Sequence, residues 1–203
     1  MPPRQIAIPL LFILFASTLL GSGIGYSYFL YSKKIFHDRK IEEKTSLIKL
    51  AHAFGKTYAE IKVDAKSPNM PVPATMRAWA MERYRKEIGD AGTTEIDMIG
   101  LKAAAIKTPP RDEQSAQIVE QMHAGNIKGI WDGIVETPKG PMLRMMSPSK
   151  ASEESCVSCH NKLQAGTRTW KIGEVMGAFV LDTPVAARFA AFRKEAFVVG
   201  SIS

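Results

Sequence analysis

A chain of 203 residues is long enough for one domain with a small appendage. Its 45% hydrophobic and 23% charged content excludes disordered and fibrous classes, and two cysteines are too few for a disulfide scaffold. A formal net charge of +7 invites a nucleic-acid partner, but no long basic run occurs and the Lys and Arg are interleaved with acids as on a solvated surface, so none is expected.

The chain opens with an uncharged segment from Ile6 to Tyr31. As a helix it would be about 39 Å long, against a hydrocarbon core of about 30 Å. Residues 1–32 are therefore expected to be a transmembrane anchor, with Tyr26, Tyr28 and Tyr31 at its interfacial end. A cleavable signal peptide is the alternative, with Arg4 as its basic region and cut sites near Ala16-Ser17 or Gly21-Ser22-Gly23. The apolar run is longer than such peptides usually carry, which favours retention; either form exports the rest of the chain. The charge count points the other way. Arg4 precedes the segment, whereas Lys33, Lys34, Arg39, Lys40 and Lys44 come after it, which alone would keep the remainder in the cytoplasm. Long domains translocate largely regardless of charge, and the chemistry of the two cysteines needs the outside.

Residues 33–184 are expected to form the folded domain. Lys33 to Val63 reads as a helix continuing the anchor, with Ile35, Ile41, Ile48 and Phe54 apolar and Glu42, Glu43, Lys44 and Lys49 exposed. Pro68, Pro71 and Pro73 break it, and a second helix runs through Met76, Trp79, Ala80 and Tyr84 to Ile88 before Gly89-Asp90-Ala91-Gly92 turns the chain. Ile96 to Ile106 reads as a strand running into a loop that ends at Pro109-Pro110, and Asp112 to about His123 as a helix. Gly129 to Glu136, a turn at Thr137 to Pro141, and Met142 to Ser147 form the clearest hairpin signal. Ser147 to Ser152 resembles a loop, and Val175 to Asp182 a last strand. Residues 185–203 begin a C-terminal helix, with Phe189, Phe192 and Phe197 on one flank, that could open a second span. Helices around a few antiparallel strands without βαβ alternation make the fold class α+β, with a PAS-like sheet on a long N-terminal helix as the expected architecture.

Both cysteines fall in Cys156-Val157-Ser158-Cys159-His160. Two thiols at this spacing can each add across a vinyl group of a porphyrin while the adjacent imidazole reaches the iron, the pattern of c-type haem attachment. Three other origins compete. Zinc wants a fourth ligand that no second Cys or His pair supplies, a thioredoxin-like dithiol wants a βαβ junction, and the pentapeptide could be fortuitous. An export segment upstream, and the use of every cysteine in the motif, favour haem. The sixth iron position has no evident owner: Met145 and Met146 in the hairpin, Met70 and Met76 at the proline break, and His52 on the long helix are candidates, beside water or an open position. For any single methionine, filling an irregular core is the ordinary role. His123 is also present, and His37 lies close to the membrane. Gly173 and Gly177 could let backbone approach a porphyrin, and Lys162, Arg168 or Lys171 could meet its carboxylates; turning and packing at the last strand would explain the same residues.

The segments Met70 to Thr75, Leu143-Arg144, Cys156 to Asn161 and Trp170-Lys171-Ile172-Gly173-Glu174-Val175-Met176-Gly177-Ala178 resemble the haem-c-binding, PAS-like periplasmic sensor family. Its members are input domains of membrane-bound cyclases, histidine kinases and chemoreceptors, or stand alone. The resemblance covers residues 40 to 184 and is most specific in the motif and the Trp170 segment. It implies one covalent haem c on Cys156 and Cys159, His160 as proximal ligand, a periplasmic domain on a bacterial inner membrane, and a homodimer through the long helix. Some members ligate iron with a further cysteine, which this chain lacks. It also implies a sensor of redox state or a diatomic gas, coupled to a cytoplasmic output domain or partner; a membrane-anchored monohaem cytochrome for electron transfer with a redox partner is the alternative. No Ser-His-Asp set, carboxylate pair or phosphate loop suggests an enzyme.

Overall fold

The computed structural model describes residues 3–65, 70–88, 94–106 and 108–202. In chain order the elements are α1 (Pro3–Ala65), α2 (Pro73–Ile88), β1 (Glu95–Gly100), α3 (Glu113–His123), β2 (Trp131–Thr137), β3 (Gly140–Lys150), α4 (Glu154–Leu163), β4 (Val175–Pro184) and α5 (Ala186–Ile202). The α+β expectation holds: the strands form one antiparallel sheet in the order β1-β4-β3-β2. The chain divides into two compact units, Met1–Glu42 with Val185–Ser203, and Glu43–Pro184.

In the first unit, α1 packs against α5 through small residues. A Cβ on Gly21 would stand 2.2 Å from the Gly200 carbonyl oxygen, and one on Gly25 2.6 Å from that of Ala196. Backbones approach this closely only where side chains are missing, the small-xxx-small arrangement of membrane helix pairs. Tyr28 Oη donates to Glu195 at 3.1 Å, and the Phe36 ring meets Phe189 and Phe192 edge-on. Leu10, Leu11, Phe12, Ile13, Leu14 and Phe15 are all more than half exposed. Ser17 and Thr18 turn their hydroxyls back onto the Leu14 carbonyl, as hydroxyls do when solvent offers no partner. The helix is long and apolar enough to cross a membrane.

The second unit is the sheet with α2, α3, α4 and the later turns of α1. Asp112 caps α3: its side chain accepts from the Ser115 amide while Ser115 Oγ accepts from the Asp112 amide. Ile118, Val119 and Met122 of α3 pack on Ile99, Met146, Ala178, Val180 and Val175. Strict alternation would put Val175 and Ala178 on opposite faces. A register shift opposite Ser149/Lys150 restores them to one side and leaves Met176 against the separate cluster that includes Leu101 and Trp170. At the hairpin, Gly140 takes φ +97°, a conformation that suits glycine, and Thr137 Oγ1 donates to its carbonyl.

Three expectations need correction. Lys44 is fully buried, not exposed; its Nζ donates to the carbonyls of Leu143 at 2.7 Å and Leu181 at 3.0 Å, so a long side chain reaches the sheet from α1. Phe54, assigned to the apolar face, is 60% exposed. Ser147 to Lys150 continues β3 instead of forming a loop, because Pro148 sits where the ladder already approaches its bulge. The Gly89 to Gly92 turn and Pro68 lie outside the described residues.

Candidate functional site

The Cys-x-x-Cys-His pentapeptide lies on α4, an element the sequence did not announce. Glu153 is its extended N-cap residue and His160 falls in its last turn. On a helix, positions i, i+3 and i+4 share one face, so Cys156, Cys159 and His160 point together while Val157 turns into the core at 7% exposure. Both thiols are free and half-buried. Cys156 packs against Leu101, Ala104, Ala151, Val157 and Trp170. Although β3 precedes α4, the sheet is antiparallel throughout, so the junction is not the βαβ setting of a thioredoxin-like dithiol. Among the described residues, no group of three or more His, Cys, Asp or Glu side chains converges as a metal site by itself.

Gln164, one turn after His160, organises the neighbourhood. Its Oε1 accepts from Trp170 Nε1 at 2.6 Å and faces His160 Nδ1 at 3.4 Å, and its Nε2 donates to the Ala104 carbonyl at 2.7 Å. With the amide oxygen toward Nδ1, His160 keeps its proton there and leaves Nε2 bare, the tautomer that binds a metal. Asn161 holds both polar groups of the Trp170 backbone, accepting from its amide at 2.6 Å and donating to its carbonyl at 3.1 Å. Trp170 is 2% exposed and takes the rings of His160 and His123 edge-on.

The other expected residues separate by location. Met146 is used in the core under α3, and Met145 is fully buried between Asp132 and Leu181 in the sheet. Met70 and Met76 are half-buried at the break between α1 and α2, with the Met70 carbonyl accepting from Lys62. His123 is committed at both nitrogens, to the Val175 carbonyl at 2.8 Å and to Arg168. Arg168 also lies over Trp170 at 4.2 Å, whereas Lys162 and Lys171 are exposed. Gly173 takes φ +88° in a turn, and a Cβ on Gly177 would meet the Ile99 carbonyl oxygen at 2.1 Å. Turning and strand packing therefore account for both glycines.

His52 reaches the opposite sheet face from α3. Ala178 and Val180 face α3, so Phe179 between them points the other way, and its ring meets the His52 ring at 5.0 Å and the Arg77 guanidinium at 5.8 Å. Arg77, on α2, was not singled out by sequence. Its Nε is buried with no hydrogen-bond partner, burial pushes its pKa down, and the neighbouring Cys156 and Glu153 oppose that shift. The Arg77 stem lies 3.0 Å from where a Gly55 Cβ would stand. A mid-helix glycine was the one available signal, because it costs helix stability unless something must come close.

A haem is the group the motif implies, and the residues fit it on two independent counts. Two thiols and an imidazole share one helix face, and near Cys156 the buried Nε of Arg77 has no hydrogen-bond partner, a donor of the kind a haem carboxylate would accept from.

The Tll0287-like family model matches residues 33–184, and the chain belongs to that family. Among solved structures, it is similar to the cyanobacterial heme-protein Tll0287, at 10% identity and a TM-score of 0.51 over 72% of this chain and 95% of that one. At that identity the likeness concerns the fold. No curated protein matches this chain.

Proposed function

We propose that this chain is a membrane-anchored c-type haem protein whose domain, of PAS-like kind, senses redox state or a diatomic gas on the periplasmic side of a bacterial inner membrane. The observation that carries it is Cys156, Cys159 and His160 on one face of α4, with the buried, unbonded Nε of Arg77 nearby. Membership of a family whose solved relative is a heme-protein supports it.

Cys156 and Cys159 would hold the haem through thioether sulfurs, and His160 Nε2 would ligate its iron. Gln164 holds the proton on His160 Nδ1, and Arg77 neutralises a carboxylate in a half-buried position where water screens poorly. When bound, the group supplies an iron centre that changes charge or takes up a small gas. Phe179 and Trp170 keep the surroundings apolar, which tunes the affinity of that centre for charge. Sensing over electron carriage is favoured by α1: Lys44 seats it on the sheet through the Leu143 and Leu181 carbonyls, and the helix is continuous back to Pro3. A shift at that seat would pass along α1 to a cytoplasmic output domain or partner, with a homodimer through α1 as the expected assembly. No enzymatic role is proposed.

The full chain, matured with a c-type haem assembly system, should stain for covalent haem after denaturation, and Cys156→Ala with Cys159→Ala should abolish the stain. Adding CO or NO to the reduced protein should shift its Soret band. Persistent staining in the double variant overturns the haem assignment. No shift with either gas, together with a respiratory reduction potential, replaces the sensor by an electron carrier.

A further inference from the structure

We infer that His52 is the second protein ligand of the iron, opposite His160; this rests on the proposed haem at Cys156 and Cys159. The inward stripe of α1 in the second unit runs Lys44, Ile48, His52, Gly55, Ala59, at helical spacings of four, four, three and four. Its other members are covered by the domain: Lys44 at 0%, Ile48 at 4%, Ala59 at 7%, and Gly55 buried. His52 alone is exposed. A residue in the middle of an inward stripe stays open only where the domain leaves a gap at that level.

The walls of that gap are specific. Phe179 closes it from the sheet, against the His52 ring, and Arg77 enters from α2 with its unpartnered Nε. Arg77 senses Cys156 and Glu153, which brings the start of α4 to the same region. Gly55, one turn after His52, has no side chain, and the Arg77 stem passes close to α1 there, which brings its guanidinium to the level of His52. These are the requirements of a porphyrin edge: an apolar floor, a cation for a carboxylate, a thiol for attachment and an imidazole for the iron.

Three of the competing donors are committed elsewhere. Met145 and Met146 are fully buried among strand and α3 side chains, and both His123 nitrogens are bonded. Neither ring nitrogen of His52 has a hydrogen-bond partner among the described residues. A bis-imidazole iron must lose one ligand before a gas can bind, and a ligand mounted on α1 links that loss to the helix.

The experiment compares the full chain with His52→Ala and His52→Met, each matured with haem and read by absorption and electron paramagnetic resonance. The unaltered ferric protein should be low-spin with two imidazoles. His52→Ala should keep its covalent stain but turn high-spin, and added imidazole should restore the low-spin signal. His52→Met should stay low-spin, gain the far-red band of methionine ligation and rise in reduction potential. A low-spin His52→Ala protein identical to the parent overturns the inference, as does a parent that is high-spin. If His52→Ala fails to accumulate, an unchanged spectrum and potential in His52→Met overturns it equally. Loss of covalent stain from the parent would instead defeat the haem assignment itself, so the two failures are distinguishable.

Discussion

Arg144 and Asp182 are partners in the ladder between β3 and β4 and are joined a second time by their side chains, Nε to Oδ1 at 2.9 Å and Nη2 to Oδ2 at 2.8 Å. The third arm of the guanidinium reaches Asp112 at 2.7 Å. Burial disfavours the Arg144 charge, but the two carboxylates more than offset this and raise its pKa. The side chains are only 3% and 5% exposed, so neither charge can be left alone cheaply. Asp182→Ala should lower stability by about 3–5 kcal/mol, because it leaves a buried cation with only its Asp112 partner. Arg144→Met combined with Asp182→Leu should recover most of that loss, since removing both charges removes the desolvation cost too. Equilibrium urea unfolding of the full chain in detergent would check both; equal losses in single and double variants would refute the assignment.

Acid should loosen the same corner through Asp112. Burial alone would raise its pKa, yet the Ser115 amide and Arg144 bond its charged form and the net shift is downward. A carboxyl whose folded pKa is depressed contributes stability above its unfolded value, near 4, and that contribution is lost as the pH falls through the folded value. Unfolding midpoints should therefore drop below about pH 4. Asp112→Asn should flatten this limb in part. Glu95, held down first by its Lys139 bond and also by Arg111, titrates with the same sign and should leave a residual slope.

Close packing of α1 on α5 gives a sharp steric test. Gly21→Leu must displace backbone, because the nearest atom to the new Cβ is the Gly200 carbonyl oxygen. Gly23→Leu has nothing within 4 Å and serves as control. The first should lower the melting temperature of the detergent-solubilised protein by several degrees, about 1–3 kcal/mol as for other overpacked contacts, and the second should not. Intact mass would report at the same time whether residues 1–32 remain attached.

The sequence carried the architecture wherever the pattern was local. Helix propensity from Asp112 to about His123 announced α3, the Thr137 to Pro141 turn announced the hairpin, and the uncharged Ile6 to Tyr31 run announced the apolar helix. It also exposed the chemistry, because three reactive side chains fall within five residues. What stayed hidden depended on partners far along the chain. Lys44 reads as a surface residue until the Leu143 and Leu181 carbonyls come within reach. Arg77 is one of many basic residues until its Nε is buried against Phe179. The α4 helix escaped notice because Ser, Cys and Asn are weak helix formers, and docking of Val157 into the Trp170 cluster supplies what propensity does not.

Gln164 separates support of the fold from control of the metal. Its amide accepts from Trp170 Nε1, faces His160 Nδ1 and donates to Ala104. Gln164→Leu should cost about 1–3 kcal/mol, because the Trp170 indole N–H is left unbonded in a buried site. It should also raise the reduction potential, since His160 loses the acceptor that makes it a more basic ligand, and a basic ligand favours ferric iron. Gln164→Glu places a full negative charge at the same distance and should lower the potential instead. A merely structural glutamine would shift stability in both variants but would not move the potential in opposite directions. Spectroelectrochemical titration of the three proteins reads the sign directly, and a common direction in both variants would remove Gln164 from control of the iron.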